Sequence, residues 1–172
     1  MRMLCSIIGA SLLSLSSLRA AEASLPEALQ NEAQTAIAKG LAWLAANQKP
    51  DGVWSDERNP AMTALPLWAL AASGQAQYTS QVDRAVAFIL SKAQPDGGIY
   101  VPDPQRGGAG LGNYNTSLCM MGLHATGRKD VVRAIQKARE YTAATQLTGD
   151  DQHAGGFGYD KEIGRASCRE RV

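Results

Sequence analysis

The stretch Lys39-Gly40-Leu41-Ala42-Trp43-Leu44-Ala45-Ala46-Asn47-Gln48-Lys49-Pro50-Asp51-Gly52-Val53-Trp54 reads as the end of a helix, a Pro-Asp-Gly turn, and an aromatic residue placed to fold back over Gln48. A looser version runs from Arg84-Ala85 through Phe88 and Gln94 to Gly98-Ile99-Tyr100. A third begins at Lys137-Ala138, passes Tyr141 and Gln146, and reaches Gly155-Gly156-Phe157-Gly158-Tyr159 after a longer loop. Self-similarity at this period makes the chain a repeat protein, because one helix pair cannot bury both of its apolar faces and stacked copies complete the core.

Working outward, Thr63 to Gly74 corresponds to Thr116 to Gly127, so each unit is a helix with the Gln-turn-aromatic ending followed by a second helix. The first helix is expected to start at a Ser24-Leu25-Pro26-Glu27 capping box and to turn Leu29, Ala33, Ile37, Leu41 and Leu44 toward a core. Asn59-Pro60 or Thr63 opens the second; Pro66 favours Thr63 as the cap, since it then falls in the first turn, and otherwise kinks the helix. Ser80 to Asp83 opens the third, Thr116 to Ala125 is the fourth, and Asp130 caps the fifth. No segment alternates apolar and polar residues long enough to argue a strand.

The two ends of the chain read differently. Residues 1 to 23 carry an early cation at Arg2, an apolar run from Leu4 to Leu15 and small residues at Ala20, Ala21 and Ala23, the pattern of an export signal. That run is too short and too rich in Ser to span a bilayer, which takes about 20 apolar residues. Ile163 to Val172 back-translates without strain to a short-read sequencing adapter, so it is set aside as an artefact. The expected organisation is a signal peptide at 1–23, a partial helical-repeat domain at 24–162, and the artefact at 163–172. The expected location is outside the cytoplasm.

With 17 Lys and Arg against 16 Asp and Glu, the chain lacks the basic excess that a nucleic-acid partner wants. Cys119 is the one cysteine between the two set-aside ends, so no disulfide forms within 24–162 and a four-cysteine zinc site is excluded. A lone cysteine in an apolar helical run reads as a small core residue. Cys119 and His124 lie five apart on one helix and diverge, so no metal is assigned. No cofactor is assigned either.

The pattern from Lys39 to Trp54 resembles the QW motif of the terpene cyclase and protein prenyltransferase superfamily, squalene cyclases above all. Gly155-Gly156-Phe157-Gly158-Tyr159 is similar to the glycine-aromatic ending of the same repeats. The resemblance covers about Ile37 to Tyr159 and implies an all-α fold, an α/α toroid built from helix pairs and incomplete in this chain. It also implies that Lys39, Trp43, Gln48, Gly52, Trp54, Phe88, Gln94, Gly98, Tyr100, Tyr141, Gln146, Gly155 and Phe157 are structural. In that reading the glutamine amides serve backbone groups left open at helix ends while the aromatics pack beside them.

The catalytic acid of squalene cyclases sits in an Asp-x-Asp-Asp motif that is missing here. Asp150-Asp151 is the nearest pair and sits in a polar loop. The Asp, Cys and His zinc set of the prenyltransferases is missing too, and His153 reads as an exposed loop residue. Gly107 to Gly112 fits neither a Walker loop nor a dinucleotide fingerprint and reads as a rim loop. With Tyr100, Arg106, Asn113 and Tyr114 it is the candidate surface for a ligand at the mouth. The expected partner is an apolar, isoprenoid-like small molecule; membrane association stays open. The leading functional expectation is a terpene-cyclase-like isomerase with its acid outside these residues. Two alternatives are a non-catalytic exported toroid used for binding or scaffolding, and a polysaccharide lyase on the same fold, which would need Arg, Lys and Asp clusters.

Overall fold

The computed structural model describes residues 26–106, 110–149, 152 and 154–159. The fold is all-α. Five helices follow in order: α1 (Glu27–Ala46), α2 (Ala61–Ala72), α3 (Thr79–Ser91), α4 (Gly112–Ala125) and α5 (Val132–Ala144), with short 3-10 turns at Ala76–Tyr78 and Pro104–Arg106. Among the described residues no strand forms. Two isolated bridges, Ala93 with Ile99 and Gln146 with Phe157, close loops.

The centre is the pairing of α2 with α4. Gly122 makes it close: a Cβ there would stand 2.8 Å from the Ala64 carbonyl oxygen. Helix α3 packs on α2, and α5 packs on α4. Between the layers lie Ala64, Leu67, Val86, Ile89, Cys119, Leu123, Val131 and Ala138. A smaller cluster of Leu41, Leu70 and Tyr78 fixes the C-terminal half of α1.

The odd-numbered helices end alike. Ala46, Ser91 and Ala144 are their last residues, followed by Asn47, Lys92 and Thr145 in nearly one conformation (φ −104°, −97°, −98°). The turns beyond are closed by matching pairs of bonds. Lys49 N–H donates to Val53 O and Gly52 N–H to Lys49 O; Gln94 N–H donates to Gly98 O and Gly97 N–H to Gln94 O. After α5, Leu147 N–H donates to Gly156 O and Gly155 N–H to Leu147 O across a longer loop. All three glycines have positive φ (89°, 94° and 82°), which is why the turns need glycine. In the first two, Asp51 and Asp96 each accept a bond from the backbone two residues on.

These contacts tie one unit to the next. A Cβ on Gly52 would fall 2.5 Å from Arg84 O, and one on Gly97 2.7 Å from Lys137 O. Arg84 and Lys137 occupy the same place on the 13-residue helices α3 and α5. The first two turns therefore lie backbone to backbone against the next odd-numbered helix.

Helix starts differ from expectation. Helix α2 begins at Ala61 after Pro60, so of the two expected starts Asn59-Pro60 is the one used and not the favoured Thr63, and Pro66 lies inside it. Its cap comes from far along the chain: Ala61 N–H donates to Oδ1 of the buried Asn115, whose Nδ2 donates to Gly110 O. Helix α3 starts at Thr79 behind a 3-10 turn and α5 at Val132 behind Val131, neither with a side-chain cap, so the Ser80–Asp83 and Asp130 caps are not formed. Helix α4 starts at Gly112, four residues before Thr116, after Leu111 at φ 66°. On α1 only Leu41 of the expected stripe is buried, with Leu44 half-buried. Leu29, Ala33 and Ile37 are exposed because no element among the described residues covers that face. Ser24 and the residues before it, Asp150, Asp151, His153 and Ile163–Val172 lie outside the described residues.

Candidate apolar binding site

Helices α2 (AMTALPLWALAA) and α4 (GNYNTSLCMMGLHA) contain no Asp, Glu, Lys or Arg. Both are nonetheless half open to solvent. On α2 the buried residues are Ala61, Thr63, Ala64, Leu67 and Leu70, so the opposite face shows Met62, Leu65, Trp68, Ala69 and Ala72. On α4 the exposed residues are Tyr114, Met121 and His124, with Ser117 and Leu118 half-buried. Gly122 and Asn115 fix which side of α4 meets α2, and Cys119 and Leu123 fix which side meets the core. Helical periodicity then puts both open faces on the same side of the pair. The product is an uncharged, largely apolar and aromatic wall, with Met62, Leu65, Trp68, Tyr114 and Met121 exposed.

A cleft of about 470 Å³ deepens the wall at the N-terminal end of α4, lined by Asn113, Tyr114, Ser117, Leu118, Thr142, Phe157, Gly158 and Tyr159. Its floor is held by backbone bonds. Asn113 and Tyr114 N–H both donate to Tyr159 O (3.1 and 3.4 Å), and Asn113 Nδ2 donates to Gly158 O. Asn113 Oδ1 accepts from the Thr145 hydroxyl, which spends the amide on structure. Tyr114 and Tyr159 face each other with ring centres 6.4 Å apart. A second cleft of about 490 Å³ lies in the preceding loop and is polar, with Asp56, Arg58, Asn59 and Asp103 among its residues. The Arg58 backbone N–H and guanidinium hold the Asp56 carboxyl below the usual carboxylate range.

The rim candidates separate. Asn113 and Tyr114 help form the apolar cleft, and Tyr100 is buried away from it against the Tyr141 ring (5.7 Å). Arg106 ends the 3-10 turn. The chemistry-bearing pair Cys119 and His124 diverges: the thiol is fully buried, which pushes its pKa well up, and the imidazole is exposed. No group of three His, Cys, Asp or Glu among the described residues could hold a metal ion.

The motif residues serve mainly the turns that follow the odd-numbered helices, and Phe157 of the third also lines the cleft. Gln48 Nε2 donates to Gly52 O and to Gln81 O, and its Oε1 accepts from Arg84 Nη2 at 2.7 Å, spanning turn and next helix. Trp54 Nε1 donates to Leu44 O at 2.7 Å, a carbonyl in the last turn of α1 that also accepts a longer bond from Asn47 N–H. Gln146 Nε2 donates to Gly155 O, as Gln48 does to Gly52 O. Gln94 is different. The backbone bonds align it with Lys49, not Gln48, and it acts as Lys49 does: Lys49 Nζ donates to Ser55 O, and Gln94 Nε2 to Tyr100 O. The shared Pro-Asp-Gly of residues 50–52 and 95–97 carries that alignment in the sequence. Lys39, Trp43 and Phe157 are exposed, whereas Phe88, Gly98 and Tyr141 are buried.

Missed at the sequence level was the wall itself. Its signal is the absence of charge from α2 and α4, against the charged α1, α3 and α5. Among the described residues no helix is long and apolar enough to cross a membrane.

No family model matches the chain, and no solved structure matches it. Over 77 residues, 42% of the chain, it is 36% identical to a drimenyl diphosphate synthase from Streptomyces showdoensis, covering 14% of that protein's length. This partial likeness to a terpene-cyclase-type enzyme is what the comparisons add to an all-α chain with an uncharged, open helical wall.

Proposed function

We propose that this chain forms part of an α/α toroid that encloses an isoprenoid chain, as in a terpene cyclase. The observation that carries it is the wall of Met62, Leu65, Trp68, Tyr114, Leu118 and Met121 on two helices without a charge. An isoprenoid needs apolar surface, and its cyclisation passes through carbocations that water would quench. Enclosed in a toroid, a wall of this kind would exclude water, and the ring faces of Trp68 and Tyr114 would supply negative quadrupole to a developing cation. No described residue is assigned the acid. The partial likeness to drimenyl diphosphate synthase supports an isoprenoid diphosphate as the substrate class. The N-terminal segment supports export of the mature chain from the cytoplasm.

The test is titration of the purified chain with farnesyl diphosphate and, separately, with uncharged farnesol, read by tryptophan fluorescence and followed by extraction and mass spectrometry of products. Saturable quenching by both ligands, lost in Trp68→Phe, is the expected result. A cyclised product would establish the enzyme; saturable binding without one would establish a non-catalytic toroid. Absence of a saturable response to either ligand refutes the proposal.

A further inference from the structure

On the isoprenoid reading proposed above, on which this rests, we infer that the wall selects an isoprenoid alcohol over a chain with no hydrogen-bond donor. The hydroxyl donates to the backbone carbonyl of Met62.

Pro66 is what frees that carbonyl. It lies inside α2, beyond the first turn, where a proline removes a helical bond. Having no N–H, it cannot donate to the carbonyl four residues back, Met62 O, and its ring crowds that oxygen. Among the described residues no side chain and no turn or loop N–H donates to Met62 O. The next repeat does without the proline. Since Thr63 corresponds to Thr116, Pro66 falls where α4 has Cys119, which keeps its N–H, and α4 runs as a helix from Gly112 to Ala125. The freed carbonyl is therefore particular to α2 and not a demand of the helix pair.

Helical geometry sets where it lies. A helical carbonyl stays near the angle of its own residue and points along the axis toward the residue four on. Met62, Leu65 and Ala69 are exposed and Pro66 is half-buried, so this oxygen is framed by the open side of α2, away from the contact with α4. The exposed side chains there, Met62, Leu65, Trp68, Ala69 and Ala72, include no oxygen. The Met62 carbonyl is thus the strong acceptor of that face.

Selection follows from what happens to water. On the uncovered wall, water can bond to the oxygen; a chain laid along the wall displaces it. A ligand with no donor then leaves the carbonyl unpaired under apolar cover, and an unpaired group costs more than a hydrogen bond gains. An alcohol restores the bond by donating its O–H. A diphosphate headgroup offers no donor, so it finds its partners elsewhere than at Met62.

The experiment titrates the purified chain with farnesol and with farnesyl methyl ether, read by tryptophan fluorescence. The ether keeps the chain and the oxygen and lacks the donor. Pro66→Ala supplies an N–H to the Met62 carbonyl from within the helix, and the readout is the ratio of the two dissociation constants in each protein. Wild type should favour farnesol over the ether about fivefold more than Pro66→Ala does, the worth of one hydrogen bond. A change in wall shape alone would move both ligands together and leave the ratio. Pro66→Gly supplies the same N–H and takes over should Pro66→Ala lose helical signal by circular dichroism. A ratio that is the same in wild type and variant, or a folded variant that binds neither ligand, overturns the inference and leaves the isoprenoid reading standing. Failure of wild type to bind either ligand overturns both.

Discussion

Replacing Gly52 with Ala tests whether the turns bind the next helix or merely precede it. Two penalties apply. The first is local: a non-glycine residue at positive φ costs about 1–2 kcal/mol. The second is tertiary: the new Cβ would stand 2.5 Å from Arg84 O and 2.8 Å from its carbonyl carbon, backbone atoms that cannot rotate aside. Relief by moving α3 falls in the range of about 1–3 kcal/mol known for overpacked interiors. Gly74→Ala isolates the first term, since Gly74 also has positive φ (64°) but nothing within 4 Å of a Cβ. Equilibrium urea unfolding followed by circular dichroism should therefore give a loss of about 1 kcal/mol for Gly74→Ala and about 3 kcal/mol for Gly52→Ala. Gly97→Ala should resemble Gly52→Ala, its Cβ falling 2.7 Å from Lys137 O. If Gly52→Ala and Gly74→Ala agree within about 0.5 kcal/mol, the turn does not lean on α3 and the account of how units join is wrong.

Asn115→Ala removes the distant cap of α2 and leaves its Ala61 N–H and the Gly110 carbonyl without that amide; a loss of about 2–3 kcal/mol in urea unfolding is expected. Arg128 bridges Asp83 of α3 and Asp130. Its bond to Asp130 holds that carboxyl below its ordinary value, so the stabilisation is present above about pH 4 and is lost as pH falls through the depressed value. The urea midpoint of wild type should accordingly drop more than that of Arg128→Gln in this acid window; parallel curves would remove the bridge from the account. Cys119, buried with its thiol pKa raised, should resist iodoacetamide at neutral pH until the chain unfolds, as read by peptide mass spectrometry. Trp68→Ser should leave stability within about 0.5 kcal/mol, as expected for a side chain outside the core, while weakening any response to farnesol.

Helix number, helix type and the stops at Gly74 and Gly127 were legible because glycine past the end of an apolar run has few other uses. The starts were not. Asn115 caps α2 from 54 residues away, and local capping rules cannot see such a partner. Thr63 looked like a cap and Thr116 like the first residue of its helix, but both are interior helical residues, and Thr116 Oγ1 accepts a bond from Ile99 N–H of the preceding turn. The α1 stripe misled for a different reason: periodicity says which residues share a face, not whether anything covers it. Gln94 shows a third limit. Counted from Phe88 it looks like a displaced Gln48, but the turn's backbone bonds start from Pro-Asp-Gly and hand it the place of Lys49. The wall was missed because a search for catalytic side chains passes over helices that have none.

The joints described above rest on glycines, peptide carbonyls and a few amides at one end of the helices, while the wall lies along the flanks of α2 and α4. Stability and ligand choice are thus written in separate alphabets. A library that randomises Met62, Leu65, Trp68 and Met121 together would sample new cavity shapes without touching the Gly52 and Gly97 contacts. As a scaffold, the chain tolerates invention where molecules would bind and forbids it where peptide meets peptide.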